Sequence, residues 1–304
     1  MIILAGSYPR SEKLIQATRD FDRNRISLKE LKSLYNLELD NLIELQKKAE
    51  CEFYSNGLFK YQDLLRPLCS FIDNCRAESL VRFEETNMFW RKIHIKKLDI
   101  NPSNFSIYLE EYLDIGKMGQ FNYLVSLPAP LTLRKYSNLK TETSIELISH
   151  IAQKLEQEWI KISQKSLILA FIEYTPVTKI KPIVDLCRRL QSLKSTKFVL
   201  FKNKIQNYKD LEKLEVDGIG LNFYKNPIKQ VEQINLNKFQ NLILGVINTN
   251  TTLLEDREKL IEFIEYVRKF YHGKIYLSDD FCAELLPQEV MNQKILNIAD
   301  LKFL

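Results

Sequence analysis

The chain has 304 residues, 45% of them hydrophobic and 27% charged, with a net charge of +5 and a pI of 8.7. That balance suits an ordinary soluble protein with a sizeable core and excludes a low-complexity or fibrous chain. Lys and Arg are spread along the whole length without a basic block or arm, and no apolar run approaches the ~20 residues of a membrane span, so neither nucleic acid nor a membrane is expected as a partner.

Ile2-Ile3-Leu4-Ala5 reads as a short strand, and Gly6-Ser7-Tyr8-Pro9-Arg10 as the turn after it. Met1-Ile2-Ile3-Leu4 lacks the basic leader of a signal peptide, which makes the cytoplasm the expected location. Leu28–Ala49 has Leu31, Leu34, Leu42 and Leu45 at mostly helical spacing, with Ser27 as its N-cap. Further strands are expected at Glu52–Ser55, Asn122–Ser126, Leu167–Ile172, Phe198–Phe201, Gly218–Leu221, Leu242–Ile247 and Ile275–Leu277. The intervening helices fall at Ile145–Ile162 (with Thr143 as cap), Ile183–Leu193 and Leu260–Phe270. Between Gly57 and Gln120 the second connection is longer than one helix needs. It reads as a helix over Leu58–Ile72, then an ordered irregular or hairpin excursion over about 77–120, with a polar turn at Lys96–Asn104 before another helix.

Apolar strands without alternation imply a parallel sheet covered on both faces. Eight strand-helix units fit a (β/α)8 TIM-type barrel of one domain over residues 1–304, with a long excursion after the second strand; a doubly wound open sheet is the structural rival. The odd set Cys51, Cys69, Cys75, Cys187 and Cys282 contains no Cys-x-x-Cys pair, so each reads as a small buried apolar residue rather than part of a disulfide framework. His94, His150 and His272 read as surface or hydrogen-bonded histidines.

Several short motifs occur in one order: Tyr8-Pro9-Arg10 with Lys13-Leu14, Leu58-Phe59-Lys60-Tyr61-Gln62-Asp63 with Arg66-Pro67, Thr86-Asn87 to Arg91-Lys92, Leu127-Pro128-Ala129-Pro130-Leu131-Thr132, Val216–Leu221, Leu244–Asn248 and Leu286-Pro287. In these the chain resembles the cobalamin-independent methionine synthase family, most closely its amino-terminal barrel and, in the excursion, its single-barrel archaeal relatives. The resemblance implies a part in methionine biosynthesis, transferring a methyl group from a methyl-pterin to homocysteine. Sulfur attack requires a thiolate, which a zinc ion in the family's carboxy-terminal barrel supplies. The family's zinc positions fall here on Phe201, Asn203, Asn222 and Phe281, with Cys282 one residue away, so no metal is expected in this chain and a separate zinc-bearing barrel is the implied partner.

The family's basic tail-binding motif falls on Glu12-Lys13-Leu14-Ile15, with Ile15 and Asn87 in place of lysines. Arg10, Lys13, Arg91 and Lys92 remain as partners for an anion, unless Arg10 pairs with an acidic side chain inside the barrel mouth. Trp90, with Phe89 and Phe83, offers a surface for a pterin or packs the excursion onto its scaffold. Asn203, Asn222, Asn248 and Asn250 follow strands, where amides hold a polar ring or serve turns. Asp279-Asp280 orients a ligand or caps a helix. The candidate substrate-binding set is thus Arg10, Lys13, Asn87, Trp90, Arg91, Lys92, Asn203 and Asn222. The alternatives are a diverged non-catalytic scaffold barrel and an independent methyltransferase with another donor.

Overall fold

The computed structural model describes residues 1–61, 63–70, 72–83, 89–100, 105, 109–299 and 301. Its centre is a parallel sheet of six strands in sequential order: β3 (Tyr123–Pro128), β4 (Leu167–Glu173), β5 (Thr196–Phe201), β6 (Gly218–Asn222), β7 (Asn241–Ile247) and β8 (Lys274–Asp279). Ile168, Val199, Leu221 and Ile243 are all fully buried, as the absence of alternation requires of strands covered on both faces.

The two remaining expected strands are reduced to single parallel bridges at opposite edges of this sheet, Ile2 to Leu277 and Tyr54 to Tyr123. A ladder beyond Tyr54 is replaced by a side chain: Gln46 Oε1 accepts from Ser55 N at 2.7 Å, and Gln46 Nε2 donates to Ser55 O at 3.0 Å. The described sheet therefore has six strands, where eight are expected from the apolar runs.

Helices α1 (Glu12–Asp22), α2 (Leu28–Lys48), α3 (Pro130–Lys135), α4 (Thr141–Ile162), α5 (Lys181–Arg189), α6 (Arg257–Arg268) and α7 (Gln288–Ala299) fall between the strands or at the chain's ends. Ser27 and Glu30 form a full capping box on α2. The cap of α4 is Lys140 rather than Thr143, which lies inside the first turn. Among the described residues no helix is long and apolar enough to cross a membrane.

The helix expected over Leu58–Ile72 does not form. Asp63 Oδ1 accepts from the amides of Leu65 and Arg66 at 2.9 and 2.8 Å, a local turn that competes with helix, and only a 3-10 turn at Arg66–Ser70 follows. An antiparallel hairpin then begins at Ile72, formed by β1 (Ile72–Arg82) and β2 (Phe89–Ile100). Because β1 starts directly after the turn, the Cα atoms of Cys69 and Cys75 come within 4.8 Å and the two cysteines are disulfide-bonded, against the expectation of isolated buried thiols. Cys51, Cys187 and Cys282 are free and buried.

The hairpin is fastened to the segment after α3. Ile93 N donates to Tyr136 O at 3.0 Å, and Asn138 pairs with both backbone groups of Ile95 at 2.9 and 3.0 Å.

Inside the sheet, Gly220 lets two large neighbours meet. A Cβ there would lie 2.5 Å from Leu200 Cδ2 and 2.9 Å from Phe281 Cζ. Gly220→Ala is expected to lower unfolding free energy by about 1–3 kcal/mol, as overpacked cores do, measured by urea denaturation.

Candidate functional site

The strand ends carry the chemistry, as loops after parallel strands converge on one side of a sheet. Lys202, one residue past β5, is 7% exposed, and its Nζ lies 3.5 Å from Asp280 Oδ2 just past β8. Asp280 Oδ1 accepts from Thr249 Oγ1 at 2.7 Å, and Asp280 N donates to Ile247 O at 3.1 Å. Asp279 Oδ2 accepts from Cys282 N at 2.9 Å, closing a local turn. Around one ammonium thus gather two aspartates, the Cys282 thiol and Glu284.

Burial sets the protonation of this cluster. Asp279 is pushed up to about 7, first by burial and then by adjacent Asp280, against the pull of Lys202. Glu284 is pushed up to about 8, chiefly by burial, and both its oxygens are closed off from solvent without a hydrogen-bond partner among the described residues. The Cys282 thiol is raised far above its ordinary range, again by burial first and then by Glu284. For Lys202, burial acts to lower the ammonium, and the surrounding acids outweigh it and hold it above its usual value. At neutral pH one ammonium faces Asp280 while Glu284 holds its proton.

Glu284 also lines a cleft of about 370 Å³ with Ser7, Tyr8, Arg10, Tyr61 and Phe89. Arg10 makes no ion pair or side-chain hydrogen bond among the described residues, and burial lowers its pKa. Its loop is held in place from several sides. Gly6 has φ +84, where a Cβ would press within 3.2 Å of Tyr174 Oη, and its N–H donates to Ser126 Oγ at 2.8 Å. Tyr8 Oη donates to Asn292 Oδ1 at 2.7 Å, and Gln288 Nε2 donates to Pro9 O at 3.0 Å and Glu38 Oε2 at 2.6 Å. Ser7 Oγ is buried without a partner among the described residues. The cleft wall therefore carries the Arg10 guanidinium between the rings of Tyr8, Tyr61 and Phe89, while the Ser7 hydroxyl and the Glu284 carboxyl lie buried behind it. A guanidinium beside aromatic rings has the chemistry to pair with an anionic group next to a flat one.

The other expected residues lie elsewhere. Lys13 and Lys92 are exposed, on α1 and β2, and Asn87 lies outside the described residues. Arg91 Nη1 donates to Glu78 O across the hairpin at 2.9 Å. Trp90 is fully buried, stacked on Phe83 with ring centroids 4.2 Å apart and edge-on to Tyr174 at 5.0 Å. Asn203 Nδ2 donates to Tyr174 O at 2.6 Å, and Asn222 Nδ2 donates to Lys202 O at 2.9 Å, so both amides tie strand-end loops together. Of the described members of the expected set, Arg10 alone lines the cleft. Lys202, Glu284 and Ser7 were not singled out by motif; the signal for Lys202 was its place between Phe201 and Asn203, just past a strand.

No protein-family model matches the chain. It is 25% identical over 206 residues to a 5-methyltetrahydropteroyltriglutamate–homocysteine methyltransferase of Lactococcus lactis subsp. cremoris, covering 64% of this chain and 27% of that protein. Its counterpart in Lactococcus lactis subsp. lactis is 22% identical over 243 residues, covering 76% and 32%. Among solved structures, a B12-independent methionine synthase from a Shewanella species in complex with selenomethionine superposes with a TM-score of 0.73 at 16% identity, covering 90% of this chain and 88% of that one. A putative vitamin-B12-independent methionine synthase from Listeria monocytogenes gives 0.65 at 17%, covering 97% and 94%. The chain resembles the cobalamin-independent methionine synthases. It spans about a quarter to a third of the length of these curated relatives.

The zinc ion that the resemblance brings with it does not fit the residues present. Phe201 and Phe281 are fully buried rings, Asn222 is hydrogen-bonded to backbone, and the one nearby thiol, Cys282, holds its proton beside an ammonium. Among the described residues no group of three His, Cys, Asp or Glu side chains is placed to hold a metal.

Because Glu284 binds its proton more tightly folded than unfolded, its contribution to stability is complete below about pH 4 and is lost as pH rises through about 8. Glu284→Gln removes that dependence. The variant is expected to match the parent near pH 4 and to exceed it by about 1–3 kcal/mol at pH 8.5, read from denaturation curves across that range.

Proposed function

We propose that this chain is the methyl-donor component of a two-chain methionine synthase. It holds a methyl-pterin in the Arg10 cleft and docks against a separate carboxy-terminal-type barrel, whose zinc activates homocysteine for the sulfur attack. The observation that carries this reading is the Arg10 guanidinium on the wall of this cleft, with no ion pair or side-chain hydrogen bond among the described residues, beside the rings of Tyr61 and Phe89. The strand-end cluster supports the division of labour, since its central cation is the Lys202 ammonium rather than a thiol-activating metal. Catalysis by this component is then positional: it presents the donor methyl at the partner's sulfur. In this reading the eight strand-helix units close into one (β/α)8 barrel, the hairpin lies over its mouth, and the protein works in the cytoplasm without a metal of its own.

A purified zinc-bearing methionine-synthase barrel is expected to co-purify with this chain, and methyl transfer from a methyl-pterin is expected to accelerate when the chain is added. Arg10→Ala is expected to weaken methyl-pterin binding by about tenfold, the worth of one charge-assisted hydrogen bond, as read by calorimetry. The absence of both a complex and a gain in rate would overturn the proposal.

Trp90 favours a second reading. Its complete burial against Phe83, Tyr136 and Tyr174 commits the strongest stacking surface to packing, as in a barrel kept as a scaffold. That reading requires no saturable heat from any methylated pterin.

A further inference from the structure

We infer that the chain carries a small-molecule site between the ends of β6 and β7 and helix α6, which takes a flat apolar ligand bearing one neutral N–H or O–H donor. This inference stands apart from the function proposed above, since it uses neither Arg10 nor Glu284.

A cavity of about 390 Å³ lies here, inside the range of small-ligand pockets. Its wall includes Phe223 and Phe263, packed edge to face with centroids 5.1 Å apart, and Tyr224, whose Oη donates to Val246 O at 2.6 Å. These bonds fix the aromatic side before any ligand arrives. At the rim stand Leu253, 74% exposed, and Leu254, 51% exposed, beside the half-exposed ring of Tyr224. Three large apolar side chains so gathered around a concavity leave a costly area in water, and filling the cavity removes it.

The polar element is Glu255, which lines the same cavity with its side chain only 7% exposed. Its Oε1 accepts from Lys294 Nζ at 2.8 Å and from Asn248 N at 2.9 Å. Oε2 has no partner among the described residues and is shut off from water. Lys294, itself fully buried, already balances the negative charge and also donates to Leu253 O. What Oε2 lacks is therefore a hydrogen-bond donor and not a counter-cation. A buried acceptor left unmade is expensive, so a ligand that fills the cavity against Leu253 and Leu254 and brings one N–H to Oε2 gains both the apolar burial and that bond. The selected chemistry is a neutral heteroaromatic with a ring N–H. An amine would meet a carboxylate already neutralised, and a plain hydrocarbon would leave Oε2 unpaired.

The test titrates the full chain with indole and with 1-methylindole, which has nearly the same shape and no donor, following backbone amide shifts by NMR. Indole is expected to saturate below about 1 mM with shifts confined to the lining residues, and 1-methylindole to bind at least about tenfold more weakly, the loss of one hydrogen bond to a charged acceptor. Thr251→Trp, which fills the cavity from an exposed loop and leaves the Glu255–Lys294 pair intact, is expected to abolish the shifts. The double variant Glu255→Gln with Lys294→Met removes both charges together, so that neither is stranded, and is expected to erase the preference for indole. Equal binding of the two probes, shifts that survive Thr251→Trp, or no saturable shift up to the solubility of indole would each overturn the inference.

Discussion

The Lys202 ammonium is the point on which the ends of four strands depend. It contacts Asp280 after β8, its backbone carbonyl takes the Asn222 amide at the end of β6, and Asp280 in turn holds Thr249 and the carbonyl of Ile247 after β7. A buried charge is tolerated only when paired, and breaking such a pair strands its partner at a cost of about 3–5 kcal/mol. The acids nearby cannot all ionise around one cation. Asp280 is the direct partner, and burial pushes both Glu284 and Asp279 toward their protonated forms. A single internal lysine thus fixes both the geometry of the loops and the proton inventory of the site.

Much of this fold was legible because buried parallel strands are apolar on both faces. The runs Leu167–Ile172, Gly218–Leu221 and Ile275–Leu277 lie inside β4, β6 and β8, yet all three ladders extend further, into Glu173, Asn222 and Asp279. A rule that stops at the last apolar residue stops just before the residues that carry polar function. The misreadings at the second connection have a different cause. Gln46 takes the backbone groups of Ser55, and Asp63 takes the amides of Leu65 and Arg66. Side chains that substitute for backbone partners leave no periodic trace, and the pairing of Cys69 with Cys75 depends on where β1 begins.

The site was less legible than the scaffold, because residue type does not say whether a polar group is already engaged. Asn203 and Asn222 stand past strand ends as a ligand-binding amide would, and their donors go to the carbonyls of Tyr174 and Lys202. Trp90 has the shape of a stacking platform and is buried from the hairpin against Phe83, Tyr136 and Tyr174. Arg10 stood out because it follows the first apolar run, where loops after strands converge on one face, and the structure places it on the wall of the cleft. Glu284 did not stand out, since its raised pKa arises from tertiary burial that no spacing encodes.

The Arg10 cleft joins opposite ends of the chain, and this gives any ligand there a second effect. Arg10 belongs to the loop after Ile2, which bridges to Leu277, while Glu284 follows β8. Around them Tyr8 binds Asn292, and Gln288 binds both Pro9 and Glu38, so the clasp includes hydrogen bonds between segments 250 or more residues apart. A ligand that engages the first loop and the last loop together exists only in the clasped state and must stabilise it by mass action. Under the proposed reading, occupancy of the cleft and closure of the first segment onto the last strand are therefore two sides of one equilibrium, and whatever weakens the clasp weakens binding by the same factor.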